Sequence, residues 1–188
     1  PIGAYTGPLL LQMSGGTYTD LATGATMTMY SGDVLTTVIH SISTGSVMTG
    51  IHITPLTSMA QARAQSMAGG MTATNILAAN TAIGNYFTIS DILLTQPMDP
   101  LVLNSGTGAT LDMKNYGMVI AAISQEAGTL GMPHSSGMVT ALMKDASDGV
   151  MNGMMGGTPI SMNGMGGMMG GMMMNNMQTN AGTGGLAT

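Results

Sequence analysis

Thioether sulfur is the most distinctive donor in this 188-residue chain: 24 residues are Met, and 11 of them fall within residues 149–188. Several pairs repeat at Met-x-x-Met spacing, namely Met151/Met154, Met162/Met165, Met165/Met168, Met169/Met172 and Met174/Met177. Soft sulfur ligands suit Cu(I), so Met162, Met165, Met168, Met169 and Met172 are the copper candidates. The competing reading is packing. Thirteen further Met residues are spread through the rest of the chain without clustering, and no His or Cys reinforces the tail. A chain that uses Met in place of Leu throughout needs no metal to explain it, and packing is the expected role.

The remaining chemistry-bearing residues are sparse. Asp145, Asp148 and Asn152, with Gly149 and Gly153, make an oxygen-rich segment, but the alternating Asp-x-Asp-x-Asp-Gly spacing of a calcium loop is missing. A helix end followed by a turn is the expected structure there. His40, His52 and His134 are scattered; His52 alternates with Ile51 and Ile53 and reads as a surface or interface residue. No Gly-x-Ser-x-Gly elbow, His-Glu-x-x-His pair or phosphate loop occurs. No catalytic residue or resident cofactor is therefore assigned, and the chain is not expected to be an enzyme. Arg63 lies seven residues after Leu56, on the apolar stripe of a helix. A buried guanidinium needs acceptors for its donors; Asp20, Asp33 or helix-end carbonyls are the candidates, and a packed stem with its head in water is the alternative. Arg63 and Asp20 are thus structural residues.

Composition narrows the class. Only 6% of residues are charged, the cations are Arg63, Lys114 and Lys144, and the net charge is −5, against about 25% charged in an ordinary soluble domain. Three scattered cations exclude a phosphate-backbone reader of nucleic acid and disfavour an anionic membrane surface. No apolar run reaches membrane-spanning length, so membrane insertion is not expected. Absence of Cys removes disulfides. A surface of Thr, Ser, Asn, Gln and Gly has little charge repulsion to keep copies apart, which suits self-assembly.

The elements that must position these residues divide into a β part, a helical part and a tail, an α+β arrangement. Across residues 5–53, period-two alternation marks half-buried strands: Leu9, Leu11 and Met13; Met27 and Met29; Val34, Thr36, Val38 and His40; and Val47, Thr49, Ile51 and Ile53. Residues 54–149 read as four helices. Thr54 followed by Pro55 starts the first, with Leu56, Met59, Ala60 and Met67 on one stripe. Thr72 or Thr74 caps the second, which faces Ile76, Leu77, Ile83 and Phe87 inward and is weakened by Gly84. Residues 88–112 look irregular. Asp112 is expected to cap the third helix, with Tyr116, Val119, Ile120, Ile123, Ala127 and Leu130 inside. The fourth runs over about residues 136–147, with Val139, Leu142 and Met143 inside, and Gly149 closes it. Residues 150–188 form the Gly/Met-rich tail.

Several strings carry a resemblance: YTGPLLLQMSGGTYTDLATG at residues 5–24, ITPLTSMA at 53–60, NTAIG at 80–84, residues 116–127, and KDASDG at 144–149. Together they resemble secreted bacterial surface proteins in which an immunoglobulin-like sandwich of the carboxypeptidase-regulatory type runs into a small helical domain. The resemblance spans roughly residues 3–160. It implies an extracellular or cell-surface location and a partial immunoglobulin-like β-sandwich over residues 1–53, but no activity. Such sandwiches have about seven strands; those that would precede residue 5 are missing, and the tail is not part of the pattern.

A sandwich without its first strands has an unpaired edge that another chain can complete by strand addition. Read as a strand, the tail puts Met165, Met169 and Met173 on one face with Gly167 and Gly171 between them. The expectation is a homopolymer: copies join through an extended segment, the tail or residues 1–5, seated on the face that carries Leu9, Leu11 and Met13. A heterologous contact of this kind builds an open filament. A copper-binding tail and a surface adhesin or carbohydrate-binding module are the other classes; the last has little aromatic surface, with no Trp.

Overall fold

The computed structural model describes residues 5–160, and over them the chain is a mixed α+β fold. In order, the elements are β1 (Gly7–Ser14), β2 (Thr17–Thr19), β3 (Thr26–Thr28), β4 (Val34–Ile42), α1 (Pro55–Ser66), α2 (Ala73–Tyr86), α3 (Leu111–Thr129), α4 (Ser136–Ser147), β5 (Met154–Met155) and β6 (Thr158–Pro159). The described strands form three separate antiparallel ladders, β1–β4, β2–β3 and β5–β6.

The main ladder pairs Leu9 with Ile39, Leu11 with Thr37 and Met13 with Leu35, with an irregularity between Gly7 and Leu9. One face of β4 meets α1, and Val38 is the sheet's buried contribution to a core otherwise built from helices: Leu56, Met59, Ile76, Ile83, Tyr116, Ile123, Met138 and Leu142 are all buried in it. Strand and helix segments therefore share apolar contacts.

Local signals fix the helix starts. Thr54 caps α1 as expected from Pro55, in a reciprocal capping box with Thr57. Thr72 caps α2 by accepting from Asn75 N–H. The cap of α3 is Thr110, not Asp112: Thr110 Oγ1 accepts from Met113 N–H, while Asp112, one turn in, accepts from Ser90 N–H and ties down the preceding loop. Helix α4 spans Ser136–Ser147 and buries Val139 and Leu142, whereas Met143 is half-buried. Leu77 of α2 is exposed, unlike its neighbours Ile76 and Ile83.

The expected fourth strand does not form: residues 47–53 are irregular, and Val47 is 86% exposed. Their alternation is real, but no neighbouring strand is available to pair with it; only His52 N–H reaches across, to Leu93 O. Two glycines are there for close approach. A Cβ at Gly84 would lie 2.5 Å from Ile89 O, and one at Gly117 would lie 2.0 Å from Met98 O. Gly84, weak as a helix former, is what lets the chain after α2 fold back against it. Gly117 lets residues 97–98 lie on α3, where Met98 N–H donates to Met113 O. Among the described residues no helix is long and apolar enough to cross a membrane.

Replacing Gly117 by Ala should therefore destabilise the fold by about 2–3 kcal/mol through backbone overlap. Gly128→Ala, in the same helix with open space around it, should stabilise by roughly 0.5–1 kcal/mol. Urea denaturation of both variants measures the contrast.

Candidate functional site

Strand β1 is an edge strand. Its partner β4 meets α1 on the far side at Thr36: Thr36 N–H donates to Ser58 Oγ at 2.9 Å, and Thr57 Oγ1 donates to Thr36 O at 2.8 Å. Because both backbone groups of Thr36 point towards α1, the Gln12–Thr36 pair is a non-hydrogen-bonded pair of the ladder. By the same alternation the N–H and C=O groups of Leu10 and Gln12 point away from β4, to the side where no described strand pairs with them. Leu9 and Leu11 are half-buried; Leu10 and Met13 are 49% and 43% exposed. One edge of this sheet is thus occupied at Thr36 by helix hydroxyls, and the other presents backbone groups beside apolar side chains.

A second polar centre sits where the β2–β3 hairpin meets the helices. Asp20 is buried and accepts from Ser124 Oγ at 2.6 Å, Ser135 Oγ at 2.8 Å, and both Thr23 N–H and Thr23 Oγ1. Ser135 precedes α4 without capping it through its side chain; Tyr18 Oη accepts from Ser136 N–H there instead, and the Asp20 carboxylate lies beside this helix start. The Tyr30 ring stands 5.7 Å from His134. Burial acts to raise the Asp20 pKa, but the hydrogen bonds from Ser124, Ser135 and Thr23 outweigh it and hold the carboxyl below its ordinary value.

The third centre lies at the end of α4. Asp145 is fully buried, and its Oδ1 accepts three backbone N–H groups, from Asn152 at 3.1 Å, Gly153 at 2.6 Å and Met154 at 3.1 Å. Burial pushes Asp145 up, against the pull of these donors, and nearby Asp148 adds to the rise. Asp148 accepts from Gly156 and Val150 N–H, which holds it low, with Arg63 a smaller contributor. Arg63 itself donates to Gly149 O at 2.8 Å.

The sequence-derived residues fall as follows. Arg63 finds a helix-end carbonyl rather than Asp20 or Asp33, so it joins α1 to the end of α4 instead of to the sheet. Asp20 is a hub, but for serines of α3 and the α4 start. Asp145 and Asp148 do not make a calcium loop: they collect backbone N–H donors and so shape residues 149–156. Leu9, Leu11 and Met13 share the outer strand. Met162, Met165, Met168, Met169, Met172 and Met173 lie outside the described residues. Sequence reasoning missed the Asp20 and Asp145 hubs; the only signal was that these carboxylates precede segments rich in Gly, Ser and Thr. Among the described residues no three His, Asp or Glu side chains gather as a metal site would require. Comparison with family models, with curated proteins and with solved structures finds no match.

Two measurements check these hubs. Asp145→Ala leaves the Asn152 and Gly153 N–H groups without their acceptor, while Met154 N–H keeps Asn152 Oδ1, and should cost about 3 kcal/mol in urea denaturation. Asp20, whose pKa is depressed on folding, contributes stability that is present above its ordinary value of 3.8 and lost as pH falls through its folded value. Asp20→Asn should therefore flatten that part of the acid limb in a pH series of unfolding midpoints.

Proposed function

We propose that this chain is the structural subunit of an extracellular bacterial filament or surface layer, and that copies polymerise by strand addition at β1. The donor is residues 161–188 of a neighbouring copy. The β1 edge carries the reading: its backbone groups at Leu10 and Gln12 face outward, its apolar side chains are half covered, and the other edge of the same ladder is occupied at Thr36 by α1.

Donor chemistry fits that edge. Residues 161–188 hold no charged side chain, so no ion needs to be desolvated when they are covered. Alternating Met and Gly give a strand flexible knobs on one face, Met165, Met169 and Met173, which adapt to an irregular apolar surface. Main-chain hydrogen bonds along the edge provide affinity without demanding a particular donor sequence. Residues 161–188 follow Ile160, and 28 residues at a strand's rise of about 3.3 Å each are long enough to reach a neighbour. An immunoglobulin-like sandwich completed between subunits is the finer form of this reading, supported by the strings at residues 5–24 and 53–60. A secreted, cell-surface location follows from the same resemblance.

Gln12→Pro tests the mechanism. Its N–H faces outward, so proline removes no bond to β4 but blocks an incoming strand. Electron microscopy of the parent chain should show filaments; Gln12→Pro should remain folded by circular dichroism and form none. A parent chain that stays monomeric at high concentration, or a proline variant that polymerises normally, overturns the proposal.

A further inference from the structure

The connection between α2 and α3 carries a second surface that strand addition at β1 does not use. Leu101, Val102 and Leu103 are three consecutive exposed apolar residues, Leu103 being 88% exposed. A flexible loop would fold such side chains inward; this one is held out. Asp99 Oδ1 accepts from Leu101 N–H, Asp99 O accepts from both Val102 N–H and Ser105 Oγ, and Ser105 N–H returns to Val102 O. Asn104 sits in the left-handed region at φ 64°. Below the tip, Met98 is clamped on α3 at Gly117. The ordering entropy of the tip is thus met within the subunit, as in a preorganised contact surface, and runs of exposed apolar residues of this kind mark interaction sites.

Charge indicates what covers it. Residues 100–111 hold no charged side chain. The flanks do: Asp99 precedes the tip, Asp112 follows it, and the Lys114 stem lies against the loop at Gly106. Asp112 is half-buried and engaged with Ser90 N–H, so the exposed rim charges are one cation, Lys114, and one carboxylate, Asp99, a self-complementary pair. A two-fold axis through the tip sets apolar side chains against their own copies and lets the cation of each copy face the Asp99 carboxylate of the other. A lipid surface fits less well, because the subunit's net charge of −5 is repelled by anionic headgroups. We infer that Leu101–Leu103 is a two-fold docking surface for the same loop of a second copy of this chain. It lies in the connection between α2 and α3, a segment of the chain other than the β1 edge.

The absence of Cys from the chain makes the contact directly testable. In a Gln12→Pro background, where strand addition is blocked, Leu103→Cys treated with diamide should give covalent dimers about tenfold faster than Val47→Cys, an equally exposed control, because the docked loops raise the local thiol concentration. In that background Leu103→Asp should halve the mass seen by sedimentation velocity. Equal cross-linking of the two Cys variants, or a mass unaffected by Leu103→Asp, overturns the inference. So does binding of the protein to phosphatidylcholine–phosphatidylserine vesicles that Leu103→Asp abolishes. If Gln12→Pro itself polymerises, strand addition at β1 fails, but the cross-linking rate of Leu103→Cys against Val47→Cys still reads the loop contact, so failure of one proposal leaves the other standing.

Discussion

Hydroxyl groups join the sheet to the helices in this protein, where ion pairs do so in more highly charged folds. Thr57 and Ser58, successive residues of α1, reach Thr36 and satisfy its backbone groups on the outer edge of β4. One turn back, Thr54 accepts from Thr57 N–H and stands 2.6 Å from Tyr116 Oη, which in turn donates to Ile92 O at 2.8 Å. The single phenolic proton is committed to Ile92, so Thr54 must be the donor to Tyr116. Helix start, sheet edge, α3 and the loop before it are thereby linked by one run of neutral donors. Burial pushes the Tyr116 phenol well above its usual range, so the relay keeps its protons at any ordinary pH. Neutral hydrogen bonds are individually modest, on the order of 1 kcal/mol each, but buried ones cost more to leave unmade than they contribute when made. The relay therefore specifies one arrangement of α1 against β4.

The same logic governs the few carboxylates. With so few cations available, Asp20, Asp99, Asp112, Asp145 and Asp148 are matched with hydroxyls and backbone N–H groups rather than with Lys or Arg. Asp20, Asp99, Asp145 and Asp148 organise the chain that follows them, and Asp112 holds Ser90 of the preceding connection. The three-donor set at Asp145 fixes the path of residues 152–154, and the β5–β6 hairpin follows from that path. Acidic residues in this chain act as local templates for the backbone, which is a use that survives when the surface is almost free of charge.

Legibility in the sequence followed the range of the interactions. The start of α1 was readable because Thr54 and Pro55 act on their own first turn, and the end of α4 because Gly149 closes it. Asp112 and Thr110 compete for one cap, and only the Ser90 N–H, 22 residues away, decides between them. Residues 47–53 alternate like a strand, yet a strand needs a neighbour, and β1 had already taken β4. Arg63 was rightly flagged for its position on the apolar stripe; its acceptor, 86 residues on, was one of several that spacing alone left open. Gly84 looked like a helix weakness and Gly117 carried no signal, because the backbone that crowds them lies elsewhere in the chain. The Asp20 hub draws on β2, α3 and the approach to α4 at once, and no local pattern encodes that convergence.

Ile160 is buried and follows a short hairpin that is tied to the end of α4. Its N–H is bonded to Gly153 O, Gly153 N–H to Asp145, and Gly149 O to the Arg63 guanidinium on α1. Tension applied at that residue would travel through this series into two helix ends, α4 and then α1, before it reached the β1–β4 ladder. The two-residue strands of the hairpin would therefore yield to such a pull ahead of the helical body.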